Sequence, residues 1–214
     1  MKITDACVYP YPAGDSSVSR LALEARAYGY DSIVAIDTPA AEISGVTVLS
    51  GIHLANATAK DVQDRARKAG GSGAVISVQV GDNAFNRAVV GTKAICILRG
   101  IHEADRYAFD HVTAKIAADN MTAIDLDLSV LIAGRGHLRQ KAIHRYRDLV
   151  VLQHRFEFPL TISSSARSVL GLRTVRELAG LCSVIGMDVS DTALALAGVD
   201  RIMRPDDAAV RTIP

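Results

Sequence analysis

Short apolar runs recur along this chain at regular intervals, and helical patterns fill the gaps between them. The runs lie at residues 3–8, 31–37, 45–50, 74–80, 94–98, 122–128 and 159–163. Each is short, rich in Ile, Val and Leu, and too uniformly apolar for a strand with one wet face, as expected of strands buried on both sides. Between them the period changes. Val18, Leu21, Ala22 and Ala25 fall on one face of a helix predicted over about 16–28, which Asp15, Ser16 and Ser17 can cap and Gly29 ends. Further helices are predicted at about 58–69, 83–89, 109–118, 137–155, 174–185 and 190–197. The helix at 174–185 opens with a capping box, Thr174 as N-cap and Glu177 three residues on. Seven strands, each followed by a helix or a loop, argue for parallel βαβ units with right-handed crossovers. These close either into an open doubly wound sheet or into a barrel. No G-x-G-x-x-G follows the first strand and no composition break divides the chain, so a single TIM-barrel-like α/β domain spanning 1–214 is expected. The glycine clusters GGSG (70–73) and AGRG (133–136) read as helix ends rather than phosphate loops.

Charge is uneven in a way the net value of +1 conceals. From Arg135 to Arg176 there are nine Lys and Arg against two acids, Asp148 and Glu157, a surplus of seven that leaves the remainder at −6. Such segregation can create a positive field on a nearly neutral molecule. The near-neutral total by itself calls for no nucleic-acid partner. Cys7, Cys96 and Cys182 are too few, and odd in number, for a disulfide framework, and each sits in an apolar run. No run reaches the ~18–20 apolar residues of a membrane span, and the N-terminal stretch has acid and prolines where a signal peptide needs an apolar core. A cytoplasmic protein with no membrane partner is expected.

A barrel of this kind works at the C-terminal ends of its strands. The polar groups there are Asp5, Asp37, His53, Asp125, Asp127 and Ser163, Ser164 and Ser165. Asp125 and Asp127 are two apart on a strand, so both point the same way, and such a pair could hold a divalent cation for phosphoester hydrolysis. Against that, no two histidines sit at chelating spacing and no G-x-S-x-G is present. The stretch TISSSARSVLGLRTVREL (161–178) places hydroxyls beside Arg167, Arg173 and Arg176, and Arg176 lies in the first turn of a helix, where a cation opposes the dipole unless an anion joins it. With Arg139, Lys141, Arg145 and Arg147 these residues are expected to form one phosphate-backbone grip at the rim of the barrel.

Several ordered blocks, DHVTAK (110–115), AIDLDLS (123–129), the basic helix at 137–155 and TISSSARSVLGLRTVRELAGLCSVIGM (161–187), resemble the archaeal ribonuclease P protein component 3 family, relatives of the eukaryotic p30 subunit. The resemblance is nearly full length and weakest at about 40–105. It implies a barrel related to the polymerase-and-histidinol-phosphatase (PHP) metal hydrolases. It also implies a subunit of the ribonucleoprotein endonuclease that removes the 5′ leader from precursor tRNA. The chain would bind ribonuclease P RNA, meet precursor tRNA indirectly, pair with a Pop5-type subunit in a heterotetramer beside other ribonuclease P proteins, and bind no cofactor itself, the catalytic magnesium being held by the RNA. Metal-dependent relatives of the barrel carry H-x-H where this chain reads Asp5-Ala6-Cys7. Matched block by block, the implied RNA-binding residues are His111, Lys115, Arg139, Lys141, Ser164, Ser165, Arg173 and Arg176; Arg145 and Arg167 join the expected RNA-binding set from the basic cluster, and no catalytic residue or metal ligand is expected. Ser129 stands where some relatives carry an arginine, and Asp125 falls on an acidic position with a hydrogen-bonding role. The alternative is a metal-dependent phosphoesterase using Asp125 and Asp127.

Overall fold

The computed structural model describes residues 1–69, 72–92 and 96–204. Seven parallel strands follow one another around a barrel: β1 (Thr4–Val8), β2 (Ser32–Ile36), β4 (Val46–Leu54), β5 (Val75–Gln79), β6 (Ile97–Arg99), β7 (Ala123–Asp127) and β8 (Leu160–Ser163), each hydrogen-bonded to the next. The TIM-barrel-like α/β expectation holds. Gly70 and Gly71 of the GGSG cluster, and residues 94–95 of the predicted 94–98 strand, lie outside the described residues.

One strand and two α-helices were not foreseen. β3 (Ala41–Ile43) turns back onto β4 antiparallel, through Ser44 and Gly45, both at positive φ (54° and 78°) as a two-residue hairpin requires. A short helix α5 (Ser129–Ala133) follows β7 directly, and α9 (Gly198–Met203) follows α8 (Val189–Leu196). The remaining helices sit where the periodicity puts them: α1 (Val18–Ala27), α2 (Ala59–Ala69), α3 (Asn83–Val90), α4 (His111–Asp119), α6 (Gly136–Phe156) and α7 (Val175–Val184). Both halves of the expected capping box at Thr174 and Glu177 form. The AGRG cluster does join helices: Gly134 closes α5 and Gly136 opens α6.

The outward faces of the strands pack on the helices in the larger core, which includes Leu21, Ile33, Leu98, Ile124, Tyr146 and Ile162. The inward faces make a small second core of Ala6, Val34, Val75, Ile97 and Ala123, closed from below by Val199 on α9 with Ile202 and Met203 packed against it. Gly198 is what lets α9 in. A Cβ there would lie 2.0 Å from the carbonyl oxygen of Leu160, backbone against backbone. Gly198→Ala is therefore expected to destabilise by about 1–3 kcal/mol, the usual cost of overpacking, read as a lower urea midpoint at unchanged slope.

The seam between β8 and β1 is the weak join. It carries one bridge, Val8 with Ala166, and the bond from Tyr9 N–H to Ala166 O (2.8 Å). Two side chains reinforce it. Asp5 accepts the backbone N–H of Ser164 (3.0 Å) and of Cys7 (3.1 Å). The second is Arg99, in the mouth of the barrel.

Candidate functional site

Strict alternation would send Thr4, Ala6 and Val8 inward and Cys7 outward. β1 instead holds an extra residue between Asp5 and Val8 relative to Ile33 and Ala35 of β2. This bulge lets Ala6 join the inner core while Cys7 turns its sulfur into the mouth. On β6, Ile97 and Arg99 share the inward face, so the guanidinium of Arg99 enters the mouth above the inner core; it is 4% exposed.

All five guanidinium N–H groups find protein partners. Nε donates to Asp125 Oδ2 (2.9 Å), Nη1 to Cys7 Sγ (2.7 Å) and Tyr9 Oη (3.3 Å), and Nη2 to the hydroxyls of Ser163 (3.0 Å) and Ser165 (2.7 Å). Asp127 lies 3.5 Å from Nη2. The carboxylates are engaged from their other sides too. Asp125 accepts from Thr161 (2.9 Å) and Ser163 (2.6 Å), and Asp127 from Ser129 N–H (3.0 Å) and Ser165 (2.6 Å). Ser165 reaches both from a left-handed backbone, φ +49°. Burial works against the charge of Arg99, but Asp125, Cys7 and Asp127 together hold its pKa well above the ordinary value.

This arrangement corrects the phosphoesterase reading. Asp125 and Asp127 do share one face, but they hold a guanidinium, and each of their four oxygens already accepts a hydrogen bond from the protein. Among the described residues no group of three or more His, Cys, Asp or Glu side chains gathers to hold a metal ion. Nucleophile chemistry fares no better. Burial pushes the Cys7 thiol up to about 12 and the Tyr9 hydroxyl to about 12. His53, whose Nδ1 lies 3.0 Å from Ser77 Oγ, is lowered to about 4 by burial and by Arg99, so it is a neutral imidazole. Beyond these groups the mouth opens as a cavity of about 560 Å³ whose lining includes His53, His102, Asp127, Ser165 and Arg167.

The single basic grip is also not formed. Ser163 and Ser164 are buried, and with Ser165 their hydroxyls are engaged in the Arg99 network and in a turn to Ala166. Arg167 stays at the mouth, 4.4 Å above the Tyr9 ring and bonded to Ala13 O. The chain then descends. Arg173 O accepts from Tyr30 Oη (3.0 Å) and Val175 N–H binds Tyr28 O (3.1 Å), so Arg173 and Arg176 sit beside the residues that lead into β2, at the opposite end of the strands. The basic helix α6 fans its cations onto neighbouring backbone. Arg147 reaches Val184 O at the end of α7, whereas Lys141 reaches Glu103 O on the other flank. Arg139 bonds Ile132 O, and buried Arg145 bonds Asp105 O and Arg106 O. Only His111, Lys115 and Arg176 of the expected set stand exposed with none of these braces. His111 opens α4 just after its N-cap, Asp110. The physical reason is elementary: carbonyls at helix and strand ends lack partners, and long cationic side chains satisfy them.

Arg99 is the residue that pattern reading missed. Parity puts it on the same face as Ile97, but only the structure shows that this face is the inner one.

The comparisons bear on what such a barrel is. The family model described as RNase P subunit p30 matches residues 2–205. The chain belongs to the RNase P subunit p30 family. Ribonuclease P protein component 3 of Methanococcoides burtonii is 33% identical over 123 residues, 58% of this chain and 51% of that protein. The protein of the same name from Halorubrum lacusprofundi is 32% identical over 200 residues, 85% of this chain and 82% of its own length. Among solved structures, a chain of an archaeal ribonuclease P with mature tRNA, determined by cryo-EM, superposes with a TM-score of 0.77 at 18% identity, covering 96% of this chain and 93% of that one. That likeness confirms the fold, and the p30 family is one of ribonuclease P protein subunits.

Proposed function

We propose that this chain serves ribonuclease P as a non-catalytic subunit, with its barrel a rigid support and its outer surface the working part. The RNA would supply the magnesium and the bond-breaking step that removes the 5′ leader from precursor tRNA. The chain would bind ribonuclease P RNA, pair with a Pop5-type subunit in a heterotetramer among the other ribonuclease P proteins, and work in the cytoplasm. The observation that carries this is the saturated mouth. The Arg99 guanidinium has all five donors engaged and none left for a phosphate, and the two carboxylates beside it are committed to that cation. No helix among the described residues is long and apolar enough to cross a membrane.

With the basic residues distributed around the barrel, RNA contact takes the form of separate patches rather than one grip. Each guanidinium that braces a carbonyl keeps further N–H groups for phosphate. Reconstitution tests the reading. Catalytic RNA supplied with this protein and a Pop5-type partner should cleave precursor tRNA at a magnesium concentration where RNA alone is slow, and Arg173→Ala with Arg176→Ala should weaken that gain. The isolated chain given manganese and a generic phosphodiester should show no turnover. Turnover that Asp127→Ala abolishes would overturn the proposal.

A further inference from the structure

A second groove, of about 430 Å³, runs between the start of α4 and α6 on the outside of the barrel. Its lining includes Arg106, Tyr107, His111, Arg145, Asp148 and Arg155. Three features set it apart. The first is Tyr107, whose side of the chain is 76% exposed although its backbone is fixed from several directions. Its N–H is held by Asp105 Oδ1 (2.9 Å) and its carbonyl by Asn83 Nδ2 (2.9 Å), and Arg145 braces the carbonyls of Asp105 and Arg106 just before it. An aromatic ring left in water on so rigid a turn is preorganised to stack. The second is Arg145, 9% exposed, which lines this groove with the guanidinium that braces those two carbonyls, its Nε–H shut off from solvent and without an acceptor. The third is charge. Arg106, Arg145 and Arg155 face Asp110 and Asp148, and Asp110 is itself neutralised from outside by Arg87 at 2.5 Å and capped onto Thr113.

An exposed ring in a groove that also carries guanidiniums, with Arg106 paired to Asp148 and Arg155 left over, suits a single-stranded nucleotide: the base stacks and the phosphate meets guanidinium. The aliphatic surface formed by Met1, Ile3, Val175, Val189 and Leu194 offers neither ring nor cation. We propose that the groove between α4 and α6 receives an unpaired RNA segment, one base stacking on Tyr107 and the adjoining phosphate held by Arg155 and the Arg145 side of the groove. The proposal rests on the ribonuclease P reading and adds where and how RNA is gripped.

The chain contains no tryptophan, so Tyr107→Trp installs a single reporter. With a labelled oligouridylate, the emission of Tyr107→Trp should be quenched on binding. Tyr107→Ala should bind roughly tenfold more weakly than wild type, within the range of one lost base stack, and Tyr107→Phe should bind as wild type. Arg155→Ala should flatten the slope of log affinity against log salt by about 0.7, one single-strand phosphate contact. Tyr107 and Arg155 are on the surface, so thermal unfolding of these variants should match wild type. If wild type binds the oligonucleotide but the reporter stays unquenched and Tyr107→Ala binds normally, the groove proposal is wrong and the ribonuclease P reading stands. The groove proposal also fails if wild type ignores the oligonucleotide yet still stimulates cleavage in the reconstituted particle, or if the reporter responds to the Pop5-type subunit but not to RNA. Loss of both binding and stimulation would sink the ribonuclease P reading and the groove with it.

Discussion

Arg99→Met is expected to cost about 3–5 kcal/mol of folding free energy, as removal of one partner from a buried ion pair does. At roughly 2–4 °C per kcal/mol for a chain of this size, the melting temperature should fall by roughly 6–20 °C. The reason is the company Arg99 keeps. Asp125 is 0% exposed, and without the guanidinium its charge has only two hydroxyls to face. Cys7 and Tyr9 on one side of the seam and Ser163 and Ser165 on the other lose their common donor, so the β8–β1 join is left with its one bridge and the Asp5 bonds. Arg99→Met combined with Asp125→Asn should recover more than half the loss, because the amide oxygen accepts from one of the two hydroxyls, Thr161 or Ser163, and the amide NH2 donates to the other, with no charge to solvate. Calorimetry of the four proteins in that cycle measures the coupling directly. A single-variant loss below about 1 kcal/mol, the worth of an exposed ion pair, would mean that the mouth is wet and Arg99 ordinary.

The parts of this molecule visible in its sequence are those that local pattern encodes. The period of apolar residues located seven strands and most helices, and the Thr174–Glu177 spacing located a cap, because both depend on residues within one turn of each other. Parity put Asp125 and Asp127 on one face correctly. What they hold was invisible, since Arg99 arrives from 26 residues away on a strand of only three residues. Its run, AICILRG, reads as a strand ending in a surface arginine. The β1 bulge that sends Cys7 inward leaves no mark in the composition at all. The basic segment 135–176 shows the other limit. Its charge surplus is real, but the acceptors that disperse it, such as Val184 O, Glu103 O and Asp105 O, are backbone carbonyls every residue has, so no pattern announces them.

A barrel keeps inward carboxylates only if something neutralises them, and here an internal guanidinium does so. That cation is fixed in sequence and position, needs no ion from solution, and ties four strands (β1, β6, β7 and β8) together where closure is weakest. The outer turn that presents Tyr107 is fixed separately, by Asp105, Asn83 and Arg145.

Asp5 should make the protein less stable at neutral than at mildly acidic pH. Its carboxyl is raised from 3.8 to about 6 chiefly by burial, with Asp125 adding to the shift and the Ser164 and Cys7 contacts opposing it. One oxygen, Oδ2, is buried without a partner. Between those two values the folded state keeps a proton the unfolded chain has released, so the extra stability is fully present below the unfolded value and is lost as pH rises through about 6. About two units at 1.36 kcal/mol each give a loss of about 3 kcal/mol between about pH 4 and pH 7. Asp125 is also raised by burial and shifts stability in the same direction, so wild type alone cannot isolate Asp5. Asp5→Asn can: its carbonyl still accepts from Ser164 and Cys7, but it has no proton to lose. Urea unfolding across that range should give a curve for Asp5→Asn flatter than wild type by most of that amount. Parallel curves, offset by a constant, would mean that the Asp5 carboxyl titrates normally and that the seam at Ser164 is open to water.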